Sequence, residues 1–333
     1  GGGGGARAVR ALLLLRDGGG GVGEQLPLLV SIRSGARISM PGMMDTILNC
    51  GLNDTVVAQL ADATKDARFA WDCYRRLIAM YGEVAMGVDA ASFEEALGKA
   101  RAAAKVEHDH QLSAEQLQAL VGEFKAVYAK HVGSPFPQTP REQLVGAIGA
   151  VFASWNNPRS IAYRRINHIS DSWGTACNVQ AMVYGNVSGD DSCTAVAFTR
   201  DPATGKRYFY GEYLMNAQGE DVVAGVRTPQ PINASTKRGK DEVTLEEKMP
   251  ALYKQLYDTQ ARLELHYRNM QDIEITIERG KLYLLQTRDG KRTSAAACRM
   301  AVDMVNEGLI TKQEALLRID AAALEQFLRP VFA

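Results

Sequence analysis

This chain of 333 residues lacks an apolar run of the roughly 20 residues that a membrane-spanning helix needs. The strongest such run near the N-terminus, Ala11 to Leu15, is far shorter and carries no clear cleavage-site pattern, so it reads as non-structural. An excess of charge is missing too. Lys plus Arg and Asp plus Glu each total 38, so no global field favours nucleic acid or a membrane surface, and a phosphate ligand would need a local cluster. Cysteine is sparse: five residues, no CxxC pair and no histidine at metal-ligand spacing argue against a disulfide framework or a zinc site. That usage suits a reducing compartment, the cytoplasm or, in a eukaryote, a plastid or other organelle. What is present is 46% hydrophobic and 23% charged sequence, enough for two or three compact units of a soluble globular protein.

Glycine is concentrated where structure is least expected. Ten of the 31 glycines fall within residues 1–23, a tail whose ordering entropy nothing repays. PLLVSIRSG from Pro27 then predicts a strand, followed by a loop and a short helix around Met43 to Asn49. From about Asp54 to Gln138 the apolar spacing becomes helical, and Ser113 with Gln116 forms a capping box. Thr139, Pro140 and Glu142 mark another helix start. After Trp173 the period falls to two. GTACNVQAMVYGN, TAVAFTRDP and RYFYGEYLM read as successive strands of one antiparallel sheet. A helix ending near Asn269 leads to the clearest hairpin, DIEITIE, Arg279-Gly280, KLYLLQTR. Two short helices follow, the second opened by Thr311 and Glu314, and the chain reads as incomplete at both ends.

Three clusters carry candidate chemistry. In the hairpin, Asp272 and Glu274 share one strand face while Ile273, Ile275 and Ile277 fill the other. On alternation alone this reads as a solvated face with ordinary charge pairs. Two carboxylates projecting together also suit Mg²⁺, which takes few protein ligands and leaves the rest to water and phosphate oxygens. Gln286 and Arg288 share a face of the return strand. A three-residue loop would bring that face beside the carboxylates and a two-residue loop would put it opposite; we expect the three-residue loop, with Arg288 clamping a phosphate. The second cluster runs from Ser31 to Asp45. Arg33 and Arg37 flank Gly35, and Met40, Pro41 and Gly42 form a turn before a helix N-terminus that could face an anion, although the string is not a P-loop. The third is a loop with Glu220, Asp221 and Arg227. His108 and His110 read as an exposed loop, and Trp71, Trp155 and Trp173 as core or boundary aromatics.

At these clusters the sequence resembles the pyruvate, phosphate dikinase family. The segments that carry the resemblance are PLLVSIRSGARISMPGMMDTILNCGLND, SWNNPRSIAYRRIN, WGTACNVQAMVYGN, VAFTRDPATGK, GEYLMNAQGEDVVAGVRTPQPI and QDIEITIERGKLYLLQTRDGKRT. Phosphoenolpyruvate synthases are the runner-up. The resemblance implies an α+β chain of the ATP-grasp type, two lobes with a helical insertion. The lobes would span residues 24–53 with 139–184, and residues 185–290. The insertion would span 54–138, and C-terminal helices 291–333 would lead to a phosphohistidine domain. It implies ATP and Mg²⁺ as cofactors. Arg33 would contact the polyphosphate under a lid from Ser39 through Met40, Pro41 and Gly42 to Met43, with Glu220 near the ribose or adenine. Asp272 and Glu274 would hold Mg²⁺, and Gln286 and Arg288 would meet metal-bound phosphate, Arg33 and Arg288 being the catalytic pair. The partners implied are a swivelling histidine domain and a pyruvate-binding barrel in a homodimeric whole enzyme, with neither nucleic acid nor membrane.

Two departures from the family pattern are visible. A Gly-Lys-Gly loop is expected near the N-terminus, but no lysine precedes Lys65. Cys193 and Ala195 stand where the family strand has glycine, so strain is expected there if either position needs a close backbone approach or a positive φ. A truncated or degenerate copy acting in regulation or interaction is therefore the alternative to an enzyme module.

Overall fold

The computed structural model describes residues 27–187, 189–223 and 227–321. The glycine-rich tail and the last twelve residues lie outside that range. Helices and antiparallel sheets mix as an α+β chain, which divides into two compact units, Gly1–Met182 and Val183–Ala333.

The first unit is built on a three-stranded antiparallel sheet. β1 (Val30–Gly35) lies between β2 (Thr46–Cys50) and β3 (Ala176–Ala181). Here two expectations are corrected. The segment around Met43 to Asn49 forms no helix: a tight turn ends by Met44, and β-branched Thr46 and Ile47 enter β2, where Thr46 pairs with Arg33. The GTACNVQA segment does join a sheet, but that of β1, Arg33 pairing with Asn178, and not the sheet of the strands that follow it.

The helical stretch is α1 (Val56–Thr64), α2 (Ala67–Met86), α3 (Ala90–Ala104) and α4 (Ala114–Val132), followed by α5 (Pro140–Ala153) and α6 (Pro158–Ile166). The cap signals act as read. Ser113 and Gln116 cap α4 reciprocally, and Thr139 accepts the Glu142 N–H ahead of Pro140 in α5. Phe69, Cys73, Leu77, Phe93, Phe124 and Tyr128 are buried among these helices, so packing of apolar faces rather than propensity holds them.

The second unit is a five-stranded antiparallel sheet ordered β6-β5-β4-β7-β8. β4 (Cys193–Phe198) pairs with β5 (Tyr210–Met215) on one side and β7 (Gln271–Glu278) on the other. β8 (Lys281–Asp289) and β6 (Gln230–Pro231) are the edges. Short helices α7 (Gly219–Val223) and α8 (Leu245–Lys248) precede the long α9 (Pro250–Tyr267). One core joins Cys193, Ala195 and Ala197 of β4 to Ile273, Ile275 and Ile277 of β7 and Leu256 of α9. Neither Cys193 nor Ala195 has a positive φ, so the expected strain is absent and both side chains simply fill the core. The close approach falls instead on Gly211 of β5, where an added Cβ would lie 2.6 Å from the Val196 carbonyl oxygen. α10 (Ser294–Asn306) and α11 (Lys312–Arg318) are the last helices among the described residues, with Thr311 and Glu314 forming the expected capping box.

Candidate functional site

The β7–β8 turn is where the sequence reading needs correction. Glu278 pairs with Lys281, so the loop has two residues, not three, and Arg279 (φ 49°) and Gly280 (φ 72°) adopt the left-handed pair of a type I′ hairpin. Alone, that loop would turn Gln286 and Arg288 to the far face. A bulge reverses the outcome: Ile275 pairs with Leu284 but Glu274 pairs with Gln286, leaving Leu285 as the extra residue. One added residue flips the side-chain alternation, so Asp272 lies opposite Arg288 and Glu274 opposite Gln286.

Arg288 thus bridges both carboxylates. Its Nε lies 3.0 Å from Asp272 Oδ2, and its Nη2 donates to Glu274 Oε1. The contact with Asp272 is ionic rather than a well-aligned hydrogen bond, and Asp272 Oδ1 is buried with no hydrogen-bond partner. Burial pushes the Asp272 carboxyl above the usual carboxylate range. Arg288 opposes that shift, while the Glu274 charge adds to it. A buried carboxylate oxygen without a donor, beside a second carboxylate, fits a hard divalent cation. Among the described residues no three His, Cys, Asp or Glu gather as a metal site, so a cation here would rest on Asp272 and Glu274, with the Gln286 amide oxygen as a neutral third candidate and water for the rest.

In the first unit, Arg33 projects from the middle of β1, half-buried, while its neighbour Ile32 is fully buried on the other face. The chain then crosses Ser39 and turns at Met40-Pro41-Gly42-Met43. The Met43 N–H donates to the Met40 carbonyl at 3.1 Å, and Gly42 has φ 68°, as a type II turn with proline second and glycine third requires. Met40 anchors the loop by packing with Trp155 and Ile169, while Pro41 and Gly42 stay exposed. The Ser39 hydroxyl oxygen is buried without a hydrogen-bond partner.

The loop is clamped from the start of α6. The Met43 carbonyl accepts from Asn157 Nδ2 at 3.1 Å, Arg159 Nε at 3.1 Å and Ser160 Oγ at 2.6 Å, and Arg159 also pairs with Asp45. Asn157 caps α6 through the Ser160 N–H, so the helix start and the loop share one set of residues. The string Asn157-Pro158-Arg159-Ser160 announces the cap, but nothing local says that the same groups reach a loop more than a hundred residues earlier.

The remaining candidates are less concentrated. The backbone of Glu220 belongs to α7, and its side chain lies outside the described part of the structure. Asp221 accepts the Gln218 N–H, and Arg227 folds back onto the Met215 and Asn216 carbonyls, so both serve the loop itself. His108 and His110 stack on each other with ring centroids 5.3 Å apart. Trp155 is buried and Trp173 exposed, the latter beneath the Arg37 guanidinium.

Comparison with known proteins gives a consistent family. The profile described as "Pyruvate phosphate dikinase, AMP/ATP-binding domain" matches residues 14–254 and 234–309. The chain is 56% identical to pyruvate, phosphate dikinase of Rhizobium meliloti (strain 1021) over 91% of its own length and 34% of that protein. It is 56% identical to the Clostridium symbiosum enzyme, covering 92% of this chain and 34% of that one, and 50% identical to the chloroplastic enzyme of Flaveria trinervia, covering 92% and 31%. It therefore spans about a third of the length of these curated relatives. With all the described residues up to 309 inside the matched region, α11 alone of the helices lying beyond it, the chain belongs to the pyruvate phosphate dikinase AMP/ATP-binding domain family.

Proposed function

We propose that the chain is the MgATP-binding module of a pyruvate, phosphate dikinase-type phosphotransferase and that its two units are ATP-grasp lobes. The observation that carries this reading is the convergence of Asp272, Glu274 and Arg288 on one face of the second sheet, with a buried Asp272 oxygen lacking any donor. Asp272 and Glu274, with Gln286, would hold Mg²⁺, which when bound neutralises phosphate charge. In its absence Arg288 neutralises the carboxylates itself. A cation held by Asp272 and Glu274 would take over that neutralisation and would leave the guanidinium fork for phosphate oxygens.

Arg33, on the first sheet, would supply a second cation for the polyphosphate. The Ser39–Met43 loop is clamped at Met43 and anchored at Met40; its exposed Pro41-Gly42 tip would serve as a cover over the nucleotide, and Glu220 would serve the ribose or adenine end. Such a site works by positioning and charge neutralisation, which is what phosphoryl transfer asks of a protein. The acceptor is a histidine on a separate swivelling domain, which takes a pyrophosphoryl group from ATP and releases AMP. Phosphate and pyruvate enter in later steps on the whole enzyme, which is expected to be a homodimer.

The direct test is the melting temperature with and without millimolar MgATP. A rise in the parent chain that disappears in Glu274→Ala and Arg288→Ala supports the reading, and no rise in the parent defeats it. Adding an intact histidine domain in trans and following AMP release then distinguishes an active module, which turns over, from a non-catalytic copy, which does not.

A further inference from the structure

A second charged site lies at the foot of the hairpin, apart from Asp272, Glu274 and Arg288. A cavity of about 300 Å³ is lined by Asn269, Lys291, Arg292 and Arg318, with Met300 and Met304 of α10 forming part of its wall. Arg292 is tethered at three points. Its Nε donates to the Gly290 carbonyl at 3.0 Å, and its Nη1 donates to Asn269 Oδ1 at 2.9 Å and reaches Met300 Sδ at 3.5 Å. Arg318 at the end of α11 donates through Nη1 to the Arg268 carbonyl at 2.6 Å and approaches Met304 Sδ at 3.9 Å. These bonds fix the direction of both guanidinium groups while spending few of their five donors each.

Neither arginine forms an ion pair among the described residues. The same unit shows what a buried arginine ordinarily receives: Arg200, fully buried, is hydrogen-bonded by the carboxylates of both Glu264 and Glu307. Arg292 has no such partner. Burial holds it below the usual arginine range; Asp289 counters that shift, and the positive charge of Arg318 adds to it. Asp289 itself accepts a hydrogen bond from Gln271 Nε2. Asp289 and Glu264 act on the Arg292 cation only through space and no carboxylate is bonded to it, so an anion entering the half-apolar cavity would complete it.

We propose that this cavity binds a small organic anion, a phosphate or carboxylate on a short apolar body, between Arg292 and Arg318. The guanidinium planes supply paired donors suited to either oxyanion, and partly exposed Ala297 of α10 offers the carbon body a small apolar surface backed by buried Met300 and Met304. The volume sits at the lower end of small-molecule sites. The site does not depend on the MgATP reading, and Arg292 ties it to both ends of the hairpin, through Nε to the Gly290 carbonyl just after β8 and through Nη1 to Asn269 two residues before β7.

Calorimetric titration of the full chain with inorganic phosphate, phosphoglycolate and succinate, each against sodium chloride at matched ionic strength, tests it. We expect saturable binding of at least one of the three, tightest for a probe with a carbon body, and weakened at least about tenfold by Arg292→Gln or by Arg318→Gln. Arg288→Gln should leave that binding unchanged, which separates this site from the hairpin. Arg318 is exposed, so its replacement leaves the fold in place even if loss of Arg292 does not. Binding no stronger than that of chloride, binding unaffected by Arg318→Gln, or binding abolished by Arg288→Gln alone overturns the proposal. Which probe binds tightest decides between phosphate and carboxylate as the preferred head group.

Discussion

At the scale of single residues, Asp272 is where stability and function pull in different directions. Its carboxyl is raised by burial, so between the ordinary carboxylate range and the raised value the folded chain still holds a proton that the unfolded chain has lost. The folded state binds more protons there, so stability falls as pH climbs through that interval, and the full penalty is present once the pH is above the raised value. Asp272→Asn removes the penalty and should raise the melting temperature of the metal-free chain at pH 7. The same substitution should weaken Mg²⁺ binding by more than about tenfold. Melting curves with and without Mg²⁺ check both directions at once; an Asn variant melting below the parent at pH 7 would show that the pairing with Arg288 outweighs desolvation. A cation and a proton also compete for one carboxylate, so apparent Mg²⁺ affinity should fall as pH drops through the raised value, and titrations at a series of pH values read this directly.

At the scale of elements, the hairpin shows how far a sequence can be read. The alternation of Asp272 and Glu274 against Ile273, Ile275 and Ile277 is explicit, because a two-residue period and a buried face leave no other register. Loop length and bulge position are not explicit. A three-residue loop without a bulge and a two-residue loop with Leu285 extra give the same facing pairs, and only long-range pairing distinguishes them. The anchoring contacts explain the choice made: the Gly280 N–H donates to the Asp191 carbonyl at 2.9 Å and the Arg279 N–H to Ser192 Oγ at 3.0 Å, holding the tight turn against the start of β4. The helix expected at Met43 to Asn49 failed for a related reason. The string is apolar and short, and the decisive influence is an open edge of β1, which only tertiary structure supplies. Caps were legible because they are local.

Two predictions follow from the hairpin geometry. Arg279 carries a side chain in a left-handed position that asparagine tolerates better, so Arg279→Asn should stabilise the chain by on the order of 1 kcal/mol without altering MgATP binding. Chemical denaturation measures the first part and the thermal shift the second. Deleting Leu285 should leave Gln286 next after Leu284, still opposite Glu274, and so preserve the MgATP response. Inserting one alanine between Gln286 and Thr287 should turn Arg288 to the buried face and abolish it. Equal responses from the two variants would mean that the facing of Arg288 is irrelevant to the ligand.

At the scale of the whole molecule, charge and core are distributed differently. Positive and negative side chains balance at 38 each, so ligand binding has to come from fixed local cations, of which Arg33, Arg288 and the Arg292–Arg318 pair are the candidates. Each unit buries an apolar cluster of its own. In the second unit the sheet, α9 and the C-terminal helices are tied together by one buried charge: Arg200 at the end of β4 takes Glu264 from α9 and Glu307 from just beyond α10, and Thr199 also donates to Glu264. Glu264→Ala would leave a fully buried guanidinium with Glu307 alone. We expect a loss of roughly 3 kcal/mol, the lower end for breaking a buried pair because one carboxylate remains. Arg200→Met, which removes the charge together with the need to neutralise it, should cost less. Urea denaturation of the two variants decides whether the network is held for its net stability or for the arrangement it imposes. If Arg200→Met is the more harmful, the bonds to both glutamates contribute more than the burial of the charge costs.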